Sequence, residues 1–133
     1  MNLSPPAILV VEDEPDILNL LHLLIRLWTT EYDLLLAKDG AAALAHINRR
    51  SIPLVITDYN MPGMNGLQLA SIIKAHSPAT CIVLVTAYPT LALHDEAKMN
   101  KVDFYLTKPL QIDALEHIVR ATLHIGTPQN TAI

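Results

Sequence analysis

Five residues able to do chemistry stand where apolar runs of this sequence stop. Leu54-Val55-Ile56-Thr57 ends on Asp58 and passes into Tyr59-Asn60-Met61-Pro62-Gly63-Met64-Asn65-Gly66, a stretch dense in turn formers. Ala7-Ile8-Leu9-Val10-Val11 ends on Glu12-Asp13, the run Cys81 to Val85 on Thr86, and the run Val102 to Thr107 on Lys108. If these runs are strands of a parallel sheet, their carboxyl ends share one edge, the place where open α/β sheets bind ligands. Three carboxylates, a hydroxyl and an ammonium then converge. Carboxylates so crowded repel one another, and a single lysine offsets only part of the charge. The cluster therefore calls for a hard divalent cation, and a few oxygen donors completed by water suit Mg²⁺ better than Ca²⁺. A carboxylate beside such a cation is also a phosphoryl acceptor. Lys108 and the metal spread the phosphoryl charge, Thr86 donates a hydrogen bond, and Asp58 attacks in line to give an acyl phosphate.

The elements that must position these residues follow from the pattern between them. Ala7 to Val11 is a continuous apolar run, as for a strand covered on both faces. Pro15 suits the first helical position, with Glu14 or Asp13 as cap, and a helix is expected from Pro15 to Trp28. Its polar residues Asp16, Asn19, His22 and Arg26 fall on a narrow stripe, so most of its circumference should be buried. Strands are expected at Tyr32 to Ala37, Leu54 to Asp58, Thr80 to Thr86 and Val102 to Thr107. Helices are expected at Gly40 to Asn48, Gly66 to His76, Pro89 to Met99 and Gln111 to Ile125, the last capped by Gly126. The fourth of these five helices has the least apolar material and should be the most mobile. Alternation of five strands with five helices argues for a parallel sheet with helices on both sides.

The chain has 133 residues, enough for one domain, and reads as a single unit with a core at about 7–124 and tails at 1–6 and 126–133. Apolar residues make up 51% and charged residues 17%, which fits a globular interior, and the net charge of -4 argues against a nucleic-acid binder. The richest apolar run, Ile17 to Trp28, is too short and too interrupted to span a membrane. Met1 to Pro6 carries no signal-peptide pattern, and the one cysteine, Cys81, leaves no internal disulfide and reads as a small core residue. The expected location is the cytoplasm. The six histidines show no metal-ligand spacing, and His117 and His124 read as solvated.

From about Ala7 to Leu123 the chain resembles the response-regulator receiver domains of two-component systems. The motifs that carry the resemblance are Glu12-Asp13, Asp58 within Asp58 to Gly66, Thr86-Ala87, Lys108-Pro109, and Tyr105 three residues before the lysine. The resemblance implies a flavodoxin-like (CheY-like) doubly wound sheet with strand order 2-1-3-4-5. It implies a signalling module and not an enzyme beyond self-catalysed phosphotransfer to Asp58 and its reversal. Asp58 would take its phosphoryl group from a histidine kinase or a histidine phosphotransfer protein. Glu12, Asp13, Asp58 and the Asn60 main-chain carbonyl would hold Mg²⁺. Thr86 and Tyr105 would form a switch pair, and Lys108-Pro109 would be a cis peptide. The face of the fourth helix, fifth strand and fifth helix would then meet an effector protein or an output domain, with homodimerisation on phosphorylation as one further outcome. No direct nucleic-acid or membrane contact is implied.

Three positions depart from the family's habit. Glu12 replaces the commoner aspartate, Leu110 a frequent aromatic, and Asn100-Lys101-Val102 an Ala-Gly-Ala type turn, with Asn100 expected in the left-handed conformation. Taken singly, each motif has a plainer role. Asp58 could cap a turn, Glu12-Asp13 could complement a helix dipole, Thr86 and Lys108 could be ordinary strand-end residues, Tyr105 could be packing, and Tyr88 reads as exposed. Two other functions share parts of this pattern. A phosphatase like the haloacid dehalogenases also pairs a strand-end Asp with Thr and Lys, but needs a second acid where Asn60 stands. A flavin or nucleotide binder needs a phosphate cradle after the first strand, where Glu12-Asp13-Glu14 would repel phosphate.

Overall fold

The computed structural model describes residues 4–126; the expected tails at 1–6 and 126–133 lie outside the described residues at 1–3 and 127–133. Five strands, β1 (Ala7–Val11), β2 (Asp33–Ala37), β3 (Leu54–Asp58), β4 (Cys81–Thr86) and β5 (Phe104–Thr107), alternate with five helices. These are α1 (Pro15–Trp28), α2 (Gly40–Ile47), α3 (Gly66–His76), α4 (Leu91–Met99) and α5 (Ile112–Thr122). All strand pairs are parallel and their order is β2-β1-β3-β4-β5. The doubly wound sheet that the alternation implied is thus the observed one.

The two-residue period of the strands sorts the core into layers. Ile8, Val10 and Ile56 pack with Leu21 and Ile25 of α1 and Leu115, Ile118 and Val119 of α5. Ala7, Leu9, Val11 and Val55 face the other way, onto Ala43 and Ile47 of α2 and Leu69, Ala70 and Ile73 of α3. A smaller cluster under α4 holds Leu67, Leu84, Leu93 and Ala97, with Tyr105 packed against it. Leu93 and Ala97 are the buried residues of α4, fewer than the neighbouring helices bury.

Local chemistry fixes the helix starts. Asp39 accepts from the Ala42 N–H, Thr90 from the Leu93 N–H, and Asn65 and Gln68 form a reciprocal capping box. The α1 start differs: Glu14 is the N-cap but makes no side-chain cap, and Glu12 accepts from the Glu14 N–H instead. The β5 start also falls two residues later than expected. The Asp103 carboxylate takes the Ile82 N–H at 2.8 Å and an ion pair with Lys74, so a side chain occupies the ladder position that backbone would have filled.

Three further expectations are corrected. Helix α1 is not buried around most of its girth: Leu23 is 63% and Leu27 78% exposed, because the helix lies on the sheet beside α5 with Leu21, Ile25 and Trp28 buried, Ile17, Leu18 and Leu24 partly buried, and the opposite flank in solvent. At the end of α4 the left-handed residue is Lys101 (φ 63), while Asn100 stays at φ -91. Val102 N–H reaches back to the Ala97 carbonyl and Lys101 N–H to that of Lys98, a six-to-one, five-to-two closure that needs the residue after the cap to be left-handed. At the end of α5 the same closure runs through His124 (φ 57), so the helix stops at Thr122 instead of running to Ile125 with Gly126 as its cap. Cys81 is half-buried, at the first position of β4.

A side chain in the left-handed region costs about 1 kcal/mol relative to glycine. Lys101 is exposed and forms no ion pair among the described residues, so Lys101→Gly is expected to stabilise the fold by roughly that amount, read as a rise in the urea midpoint at unchanged slope. An unchanged or lower midpoint would contradict the closure described.

Candidate phosphoryl-acceptor and metal site

The sheet register brings the strand ends together. Val11 pairs with Ala37 and Thr57, Asp58 with Val85, and Thr86 with Thr107, so Glu12, Asp58, Thr86 and Lys108 leave the sheet at one edge. Backbone bonds extend the ladder by one step on three strands: Glu12 N–H to the Ala37 carbonyl, Tyr59 N–H to that of Val85, and Lys108 N–H to that of Thr86. The Lys108–Pro109 peptide is cis.

Side chains converge as the strands do. Glu12, Asp13 and Asp58 each present a carboxylate oxygen within 4.8 Å of the others. Lys108 Nζ lies 3.3 Å from Glu12 Oε1 and 3.4 Å from Asp58 Oδ2. Glu12 is 3% and Asp58 6% exposed, whereas Asp13 lies open to solvent. Thr86 is fully buried, and its Oγ1 accepts from the Tyr88 N–H at 3.1 Å, leaving its hydrogen to be donated. Asn60 is exposed, and its main-chain carbonyl accepts no hydrogen bond among the described residues. Tyr88 is exposed. Tyr105 stands apart from the carboxylates. Its ring meets His94 edge-on at 5.3 Å, and its hydroxyl is buried without a partner among the described residues.

Gly66, the end of the turn-forming stretch and the first residue of α3, carries a further constraint. A Cβ on Gly66 would fall on the Asp58 carbonyl oxygen and lie 2.7 Å from Leu84 Cδ1. The Gly66 N–H also donates to the Tyr59 carbonyl at 2.8 Å, so the turn after Asp58 closes directly onto α3. The neighbouring Gly63, at φ 76, was the visible signal of that turn. Gly66→Ala should cost about 3 kcal/mol, because backbone and not a flexible side-chain end must yield. Chemical denaturation measures it; a loss within error of zero would show that the turn can relax.

Burial dominates the electrostatics. It pushes the Glu12 carboxyl up from 4.5 to about 7, against the Glu14 N–H, with Asp58 adding to the rise and Lys108 opposing it. Asp58 is raised by burial too, opposed by Lys108 and assisted by Asp13. Burial alone would lower Lys108, but Glu12 and Asp58 outweigh it and hold the ammonium charged. A raised carboxyl binds its proton more tightly folded than unfolded. Metal-free protein should therefore hold this stabilisation in full below about pH 4.5 and lose about 3 kcal/mol of it as the pH climbs to about 7. Thermal melts in chelator across that window check the slope, which Glu12→Gln should remove; a slope that survives the substitution would assign it elsewhere.

All the donors here are oxygens, three of them carboxylates faced by one ammonium. That set fits a small hard divalent cation. Among the described residues no helix is long and apolar enough to cross a membrane.

Comparison with known proteins gives a consistent result. The family model for the response regulator receiver domain matches residues 8–120. The transcriptional regulatory protein GlrR of Escherichia coli K12 is 34% identical over 128 residues, covering 96% of this chain and 28% of the relative. The response regulator protein PilR of Pseudomonas aeruginosa is 33% identical over 128 residues, again 96% of this chain and 28% of the relative. The chain thus spans little more than a quarter of the length of these curated relatives. Among solved structures, the signal receiver domain of an HD domain-containing protein from Pseudomonas fluorescens superposes with a TM-score of 0.82 at 31% identity, covering 91% of this chain and 96% of that one. The response regulator TrrA of Thermotoga maritima, solved in complex with Mg(2+)-BeF, does so at 0.78 and 32%, covering 88% and 98%.

Proposed function

Because the chain belongs to the response regulator receiver domain family, a family of signalling modules, we propose that it accepts a phosphoryl group on Asp58 and relays that state to a partner. One observation carries the reading: three carboxylates gathered within 4.8 Å at the carboxyl edge of the sheet, with Lys108 Nζ reaching two of them. Glu12, Asp13, Asp58 and the Asn60 carbonyl would hold Mg²⁺, which supplies the positive charge that lets an anionic donor approach. The Mg(2+)-BeF complex of TrrA supports that choice of ion.

The chemistry follows from the chain's own groups. An Asp58 carboxylate oxygen attacks phosphorus; the P–N bond of a phosphohistidine breaks, and the imidazole leaves with the electron pair and takes a proton from solvent. Lys108, held charged by its two neighbours, moves its ammonium from Asp58 to a phosphoryl oxygen. The Thr86 hydroxyl, free to donate, meets a second oxygen. Water attacking the same phosphorus returns Asp58 and inorganic phosphate. Output would pass through α4, which buries only Leu93 and Ala97, and through Tyr105 and α5. In this structure Tyr105 already lies inward under α4, so the switch would act on the seating of α4 over the ring.

The donor would be a histidine kinase or phosphotransfer protein in the cytoplasm. The greater length of the transcriptional regulatory protein GlrR and of the response regulator protein PilR supports an output domain or a separate effector as the receiving partner. The test is incubation with acetyl phosphate, followed by intact mass. Gain of one phosphoryl group with Mg²⁺ and none in chelator is expected; gain that ignores the metal would refute the site as drawn.

A further inference from the structure

We propose that the molecule carries a second ligand site, a pocket between α1 and the Lys108–Leu110 turn that takes a small uncharged ring compound of about the size of indole. The cavity measures about 260 Å³. Helix α1 supplies Ile17, Leu20 and Leu21 as one wall, Pro109 and Leu110 form the other, and Ile56 lies at the floor. Glu12, Asp58 and Lys108 close the inner end, but they satisfy one another at 3.3 and 3.4 Å, so the surface offered to a ligand is largely carbon.

Position and size both point to a ligand. The pocket opens between the carboxyl ends of β1 and β3, where the strand order reverses, and open α/β sheets hold ligands in that crevice. Binding pockets are concave and mostly apolar with a few polar groups at one end, as here. A cavity of about 150 Å³ lined by Leu, Ile and Phe suffices for benzene, so this one has room for a fused bicycle, while a nucleotide would exceed it. Charge selects further. The charged groups at the inner end already pair with one another, so a charged ligand would be desolvated there without a counter-ion of its own, leaving a neutral ring as the fitting class. The rim carries Leu20, 41% exposed, and the exposed Pro109, so the entrance is open. This site does not depend on Asp58 being phosphorylated, and its failure would leave the phosphoacceptor reading untouched.

The test is a methyl-detected NMR titration of the full chain with indole and, in parallel, with indole-3-acetate. Saturable shifts should centre on Ile17, Leu20, Leu21, Ile56 and Leu110, with a dissociation constant at or below about 1 mM. Indole-3-acetate should bind at least about tenfold more weakly. Leu110→Phe and, separately, Leu20→Trp should each weaken indole by about tenfold or more by filling the space, without lowering the melting temperature. Three results would overturn the site: shifts that never saturate, shifts centred on Leu23 and Leu27 as for a partner-helix seam, or indole binding that neither filling variant weakens. Equal binding of the carboxylate analogue would overturn the neutral class.

Discussion

Asp58→Asn should lose phosphoryl uptake by at least about a thousandfold while keeping the fold. The amide matches the carboxylate in shape but lacks the nucleophilic charge, and no other acid stands at the same depth beside Lys108 except Glu12, whose Oε2 is engaged by the Glu14 N–H. The substitution also removes one buried charge from a crowded group. Lys108 then pairs with Glu12 alone, and the melting temperature of the metal-free protein above pH 7 should stay level or rise. Uptake rates from acetyl phosphate with Mg²⁺, read beside thermal melts, check both halves. Undiminished uptake would move the acceptor to another residue, and a collapsed melt would make the kinetic loss uninformative. Asp58→Ala, smaller and uncharged, then serves as the second variant.

Lys108→Met tests the opposite charge. The lysine is the partner of two carboxylates that are 3% and 6% exposed, and removing one member of a buried ionic group leaves the rest uncompensated. Such losses run to about 3–5 kcal/mol, but here the penalty should depend on pH. At pH 8, above the wild-type Glu12 titration near 7, Glu12 and Asp58 face each other without an ammonium, and whether they stay charged or take up a proton the folded state bears the cost, so a destabilisation of about 3 kcal/mol is expected. At pH 5 Glu12 is already protonated in the folded protein, and most of that loss should vanish. Phosphoryl uptake should fall by about a hundredfold, the usual effect of losing one donor to a developing anion. Urea denaturation at the two pH values measures the first effect. Equal losses at pH 5 and pH 8 would mean that Lys108 acts through packing and not through charge.

The strands and the acidic cluster were legible because the two signals coincide. A run such as Leu54 to Thr57, short, rich in β-branched residues and followed by turn formers, reads as a buried strand, and an acid placed where it stops then lies at its mouth. Parallel alternation then put four such mouths on one edge without any knowledge of angles. The parts that stayed hidden depend on what lies across from a residue. Leu20, Leu23 and Leu27 read as core because α1 is apolar almost all round, and no one-dimensional pattern says that only one flank meets another helix. Asn100 was a reasonable choice for the left-handed turn, yet the closure of α4 depends on which carbonyls need donors, and that count ends on Lys101. His124 replaces Gly126 at the end of α5 for the same reason. The role of Gly66 was invisible because its constraint is the Asp58 carbonyl, a backbone atom eight residues earlier. The pocket beside the cluster is likewise a product of α1 and the Pro109 turn meeting across a gap that neither segment announces.

The most direct measurement of the central claim is chemical trapping of the mark. Wild-type protein treated with acetyl phosphate and Mg²⁺, then reduced with borohydride and digested, should show Asp58 converted to the corresponding alcohol, with Glu12 and Asp13 unchanged. Conversion at another carboxylate, or none in a sample shown by intact mass to be phosphorylated, would contradict the account.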